Sequence, residues 1–205
     1  SSSEYRNTIS GNAGEGIVFS GVTDGEISGN YIGVNASGNL ALGNGLAGVL
    51  ISGGSSNVIG TDGDGTSDAS EGNVISGNTT EGIKLLLSSG ETIAGNFIGT
   101  NAASDAALPN YDGISVTADS VQIGGTTSTL RNIISGNTRD GIRFLTDDSL
   151  EDTGNTILGN LIGLGATGLA ALGNGAVGVN VAAPNVTIGG SSSVTGGVIA
   201  GSGNV

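Results

Sequence analysis

Six times along the chain a glycine opens a short run in which every second residue is apolar: GIVFS at Gly16, GVLIS at Gly48, GIKLL at Gly82, GISVT at Gly113, GIRFL at Gly141 and GVNVA at Gly178. Period-two alternation is the pattern of a β-strand with one face buried. Ile17 and Phe19, Val49 and Ile51, Ile83 and Leu85, Ile114 and Val116, Ile142 and Phe144, and Val179 and Val181 then point inward. Val18, Leu50, Lys84, Ser115, Arg143 and Asn180 point outward. A second strand column follows, centred on Ile27, Ile59, Ile93, Ile123, Ile157 and Ile188, and a third on Ile32, Ile75, Ile98, Ile134, Ile162 and Ile199, with Ile9 as a leading half rung. Three strands per turn, repeated six times, predict a solenoid.

A slower period is laid over this one. NTISGN at Asn7 returns as NVISGN at Asn73 and NIISGN at Asn132, with a worn copy, GVIAGS, at Gly197. The spacing predicts a single domain over 1–205, made of super-repeats at roughly 7–72, 73–131 and 132–196 and a partial rung at 197–205. Asn7, Asn30, Asn73, Asn96, Asn132 and Asn160 each stand two residues before a third-column isoleucine. Asn tolerates the left-handed backbone of a sharp corner, and its amide can hydrogen-bond to rungs on either side. A second asparagine column is expected at Asn12, Asn35, Asn78, Asn101 and Asn137, failing at Gly165 and Ser202.

Loops should leave from two corners. Odd rungs carry NASGNLALGNG, NAASDAALPNYDG and GATGLAALGNG after the third strand, with Leu42, Leu108 and Leu172 expected to fold back over the sheet. Even rungs carry TDGDGTSDASEG, GTTSTLR and GSSSVTGG between the second and third strands. Tyr31, Val74, Phe97, Ile133, Leu161 and Val198 form a further apolar column, either packed inside the corner or covered by a loop.

The composition fits such a coil: 41 of 205 residues are Gly, against a usual share of about 7%, and aromatic residues make up 3%. A net charge of -13 argues against nucleic acid and anionic membrane surfaces and favours cations as small partners. No Cys is present, so thiolate metal sites and disulfides are excluded; no run is long and apolar enough for a membrane helix.

The pattern NxISGNxxxGI, with GNYIGVN, GNFIGTN and GNLIGLG between copies, resembles the right-handed parallel β-helix repeats of large secreted bacterial surface proteins, related in fold to the pectin-lyase-like superfamily. The resemblance covers nearly the whole chain. It implies an all-β, right-handed parallel β-helix of about six three-stranded rungs and an extracellular setting, the targeting signal lying outside this chain. It leaves function open, because that fold hosts lyases, hydrolases, adhesins, phage spikes and plain spacers.

Candidate chemistry lies where the repeat breaks. Asp62, Asp64 and Asp68, with Glu71 nearby, cluster around glycine turns in TDGDGTSDASEG, the ingredients of a calcium loop without the full EF-hand spacing. The rival reading is a solvated acidic loop, which also suits Asp147, Asp148, Glu151 and Asp152 in TDDSLEDTG. Lys84, Ser115 and Arg143 fall in one outward column and are the candidate glycan-binding residues, yet no carboxylate joins them at Val18, Leu50 or Asn180. A lyase needs carboxylates beside its base and a hydrolase needs paired acids. With His and Cys absent, serine and cysteine triads are excluded as well. Thr92, Thr156 and Thr187 suggest an ice-binding rank, broken by Glu26, Val58 and Gln122.

The sequence therefore favours a non-catalytic structural segment: a spacer, adhesin stalk or filament unit. The chain starts and stops in third-column strands without a helix or polar cap. Solenoids need caps, so the expected partners are flanking rungs of a parent chain or identical chains stacked end to end. No cofactor beyond calcium is implied.

Overall fold

A computed structural model describes residues 5–146 and 154–190, together with the strand Val198–Ile199. Three parallel sheets form the walls of a coil. The first holds β1 (Thr8–Ile9), β4 (Tyr31–Ile32), β7 (Val74–Ile75), β10 (Phe97–Ile98), β13 (Ile133–Ile134), β16 (Leu161–Ile162) and β19 (Val198–Ile199). The second holds β2 (Ile17–Ser20), β5 (Val49–Ser52), β8 (Glu81–Ser89), β11 (Asp112–Asp119), β14 (Ile142–Phe144) and β17 (Val179–Val181). The third holds β3 (Glu26–Ile27), β6 (Val58–Gly60), β9 (Thr92–Ala94), β12 (Gln122–Gly124), β15 (Asn155–Leu158) and β18 (Val186–Ile188). The expected all-β parallel solenoid is what the chain forms.

Register is set by the isoleucines. Ile32 pairs with Ile75 and Ile75 with Ile98 in the first sheet, and Ile59 with Ile93 in the third. A slip of one residue would turn every one of these side chains outward. Instead one continuous apolar column runs from Ile27 to Ile162, flanked by the half-buried Ile17, Phe19 and Val179. Each fully buried Ile or Leu contributes about 1.5–3 kcal/mol. The glycine opening each second-sheet strand has a packing reason. A Cβ on Gly16, Gly48, Gly82, Gly113 or Gly141 would lie 2.4–2.7 Å from the carbonyl of the same glycine one rung on.

The asparagine column before the first sheet is a continuous ladder. Nδ2 of Asn7, Asn30, Asn73, Asn96 and Asn132 each donates to Oδ1 of the next member, ending on Asn160, at 2.9, 3.3, 2.9, 3.1 and 2.9 Å. From Asn30 to Asn160 each Oδ1 except that of Asn30 also accepts the backbone N–H of the asparagine one rung before. From Asn73 to Asn160 both amide oxygen lone pairs and at least one amide hydrogen are thus used in a buried corner.

The second ladder differs from expectation. It runs Asn12, Asn44, Asn78, Asn110, Asn137, Asn174 at 2.8, 2.9, 3.0, 3.1 and 3.0 Å. Asn35 and Asn101 are outside it, and it does not fail in rung 5. The reason is where the chain re-enters the coil. In even rungs the strand ends at the corner, so Asn78 and Asn137 serve directly. In odd rungs the chain leaves into a loop and returns at Asn44, Asn110 or Asn174. Asn35 and Asn101 tie their own loops, accepting the N–H groups of Asn39 and Leu40, and of Asp105 and Ala106.

Those loops explain the slower period. Each closes as a small antiparallel bridge, Val34 with Ala41, Thr100 with Ala107 and Leu164 with Ala171. Ala102 N donates to Gly38 O at 2.9 Å, joining loops two rungs apart. One loop therefore roofs two rungs, and only every second rung needs one. Beneath the roof Tyr31, Val34 and Val74 cluster with Phe97, Ala102 and Leu108, and Ile133 and Leu161 cluster with Leu164. Tyr31, Val74, Phe97, Ile133 and Leu161 of the apolar column are thus covered by loops, not packed inside the corner. Leu108 folds back as expected and Leu172 is half-buried, whereas Leu42 stays 54% exposed.

Candidate functional site

Among the described residues, two places break the repeat with charge. The first is the loop between β6 and β7, where α1 (Asp68–Glu71) forms a single turn. One carboxylate oxygen from each of Asp62, Asp64 and Asp68 lies within 4.8 Å of the others. That span fits one cation, since oxygens at 2.3–2.6 Å from calcium are at most about 5 Å apart. Each aspartate also accepts a local N–H: Asp64 N on Asp62, Thr66 N on Asp64 and Gly65 N on Asp68. These bonds shape the loop with or without an ion. Glu71 is not part of the group; its Oε2 is buried without a partner. Asp147, Asp148, Glu151 and Asp152 lie outside the described residues.

The loop yields a direct test. Asp64→Asn keeps an acceptor for Thr66 N–H and removes one of three like charges, so in chelator its melting temperature should match or slightly exceed the parent's. Millimolar calcium separates the two readings. A gain in the parent that Asp64→Asn lacks marks a cation site, by preferential binding to the folded state; no gain in either marks a solvated loop.

The second place is the outer face of the second sheet. Lys84, Ser115, Arg143 and Asn180 stand in register on consecutive strands, as expected. Ser115, although it faces outward, is only 4% exposed. Val18, Leu50 and Asn180 add no carboxylate to the column, but acids reach it from beside the strands. Glu81, Asp112 and Asp140 precede the glycine openers, Glu81 in register with Asp112, and they turn their carboxylates toward the bases.

Lys84 Nζ is 3.2 Å from Glu81 Oε1. Arg139 Nε donates to Asp112 Oδ1 at 2.9 Å, Arg139 Nη2 engages Asp112 Oδ2, and Arg143 Nη1 lies 4.0 Å from the same oxygen. Asp140 accepts from Asn180 Nδ2 at 3.0 Å and Val177 N at 3.3 Å, with Arg139 Nε 3.7 Å away. The bidentate Arg139–Asp112 pair is the geometry in which guanidinium and carboxylate bind best. Arg139 also stacks over Tyr111, 4.9 Å from the ring centre.

The ionisation states follow. Burial opposes the charge on Glu81, but hydrogen bonds from Thr80 and its own backbone, with Lys84 beside it, hold its carboxyl below the ordinary range. The hydrogen bond to Asp112, and the charges of Asp112 and Asp140, raise Arg139 further above neutrality. Asp112 and Asp140 are each 3% exposed. The face is a mutually neutralised ion network, with Tyr111 at its edge, 46% exposed. Sequence reasoning missed Asp112, Arg139 and Asp140, although an acid before the opener was readable in EGIVFS, EGIKLL, DGISVT and DGIRFL. On the third sheet, Thr92, Gln122, Thr156 and Thr187 form one rank, so Gln122 does interrupt the threonines.

Compared with models of known protein families, with curated proteins and with solved structures, the chain gives no match.

Proposed function

We propose that this chain is a non-catalytic structural β-solenoid segment of a secreted or cell-surface protein, used as a spacer, an adhesin stalk or a unit of an end-to-end filament. Within the resemblance to the pectin-lyase-like superfamily, it belongs on the structural side. The observation behind this reading is the second-sheet face. Its acids and bases pair with one another, and the carboxyl of Glu81 is pushed away from proton donation near neutral pH. A general acid needs the opposite shift. The buried corner asparagines, such as Asn73, Asn96, Asn78 and Asn110, spend their amides on the ladders. At about 4.8 Å per rung, six rungs supply about 29 Å of stiff length.

One observation favours a second reading, glycan binding: the exposed ring of Tyr111 and two partly exposed bases, Lys84 and Arg143, lie on the outer side of the second sheet. A polysaccharide array read for both retention and cleavage tests the two. The spacer reading expects neither. Retention of the parent that is lost in a Lys84→Ala, Arg143→Ala double variant would replace it with glycan binding, and new chain ends in the substrate would replace it with catalysis.

A further inference from the structure

The bend between β8 and β9 departs from its neighbours in two ways. Pairing with rung 4 runs from Leu86 opposite Thr117 to Ser89 opposite Asp119, so rung 3 holds one residue more. Leu87 is extruded, left-handed at φ 53 and half exposed. The extrusion is a β-bulge, which re-aims the residues after it. Ser88 is thereby buried, at the place that Ala118 fills in rung 4. Next, at the position that Asn57 holds in rung 2 and Asn155 in rung 5, rung 3 has Glu91. Both of those asparagines hydrogen-bond the rung before: Gly25 N donates to Asn57, and Val121 N to Asn155. Glu91 is 0% exposed.

A carboxylate cannot do all that an asparagine does there, because it has no donor. Glu91 Oε1 accepts Asn57 Nδ2 at 3.2 Å. Glu91 Oε2 and Ser88 Oγ are both buried without a hydrogen-bond partner of acceptable geometry. Among the described residues no base forms an ion pair with Glu91, and Lys84, on β8, is held by Glu81. The bends packed on either side of this one bring no base: rung 4 offers the acid Asp119, the bend of rung 2, Ser55 to Asn57, has no ionisable residue, and Asp24 lies one rung further, in rung 1. Rung 5 adds by sequence only Asp147, Asp148, Glu151 and Asp152, which lie outside the described residues. A buried carboxylate with no compensating cation is far costlier than the neutral acid.

We propose that Ser88 and Glu91 form a proton-held clasp on rung 3, with Glu91 standing as the neutral acid, its Oε2 proton shared with Ser88 Oγ, and release of that proton loosening the β8–β9 bend. The step is a proton transfer alone. The carboxyl gives its proton to solvent, the bond to Ser88 is lost, and a carboxylate remains in a bend built without a counter-charge. Burial pushes the Glu91 carboxyl above its ordinary range, and the hydrogen bond from Asn57 and the nearby Ser88 hydroxyl oppose this only in part. The Ser88 hydroxyl can donate to the charged form or accept from the neutral one, so burial decides between them. The device is a solenoid that tightens in acid, and it holds whether or not the spacer reading does.

The sign is fixed by linkage. A carboxyl raised in the folded state adds stability that is complete below its unfolded value of about 4.3, and is lost as pH rises through the folded value. Thermal melts of the parent and of Glu91→Gln, from about pH 4 to about pH 9, isolate it. Glutamine keeps the acceptor for Asn57 and offers Ser88 an N–H that cannot be titrated, and every other carboxylate is common to both proteins. The parent's melting temperature should fall by several degrees relative to the variant's as pH rises. A difference that stays flat, or that grows in the parent's favour, overturns the clasp. Carbon-13 NMR of the parent, labelled in its glutamate carboxyls, reads the same group without a variant. The Glu91 resonance should titrate above the ordinary value of about 4.3, and a midpoint at or below that value also overturns the proposal.

Discussion

Asn110→Ala should cost about 3–5 kcal/mol of stability and Asn101→Ala about 1 kcal/mol or less, although the two residues flank the same loop. Asn110 is buried and fourfold bonded. Its Oδ1 accepts from Asn78 N and Asn78 Nδ2, both at 3.0 Å, and its Nδ2 donates to Ile75 O at 2.9 Å and Asn137 Oδ1 at 3.1 Å. Alanine removes all four at once. It also strands the buried backbone N–H of Asn78, costing about 1–3 kcal/mol when left without a partner. Asn101 accepts from Asp105 N and Ala106 N and donates to Asp105, all exposed to water that can replace it. Urea melts at matched slope give the comparison. Equal costs would mean that the loop end, and not the corner, holds the rungs in register.

The contrast marks where sequence reading stopped. Fold, rung count and the first ladder were legible because Ile98 or Asn96 can be recognised from its neighbours at fixed offsets alone. The second ladder was misread at Asn35 and Asn101 because its members are equivalent in space and not in spacing. A loop separates leaving the coil from re-entering it, and only the re-entry residue, such as Asn44 or Asn110, meets the rungs on either side. Asp112, Arg139 and Asp140 were missed for a related reason. A period-two pattern says which way a strand residue points, whereas these residues precede the strands and reach sideways. The acidic triad was read correctly as a cluster because its members are neighbours along the chain. Glu91 was invisible, since only the bulge at Leu87 brings it and Ser88 into one bend.

Gly99→Ala should be severely damaging for a single added methyl group, costing about 4 kcal/mol or more, with Gly65→Ala as its control. The two glycines share a backbone conformation, φ 87 at Gly99 and φ 86 at Gly65. Each substitution therefore incurs the same left-handed penalty, about 1–2 kcal/mol. What differs is the space. A Cβ on Gly65 meets nothing within 4 Å, whereas on Gly99 it would lie 2.3 Å from Asn137 Oδ1 and 2.4 Å from Ser135 O. One of those atoms is backbone of rung 4, and the other accepts the ladder bond from Asn110. Relief of the clash must either part rungs 3 and 4, with the bond from Ser135 N to Ile98 O, or pull Gly99 N off Ile75 O and Ser76 Oγ in rung 2. Because solenoid rungs are stabilised mainly by their neighbours, the damage should spread along the axis. Amide exchange should quicken across β7, β10 and β13 in Gly99→Ala and remain at the parent's rate there in Gly65→Ala. If both variants lose only the left-handed penalty, the close rung-to-rung contact at Gly99 is not what excludes a side chain from this corner.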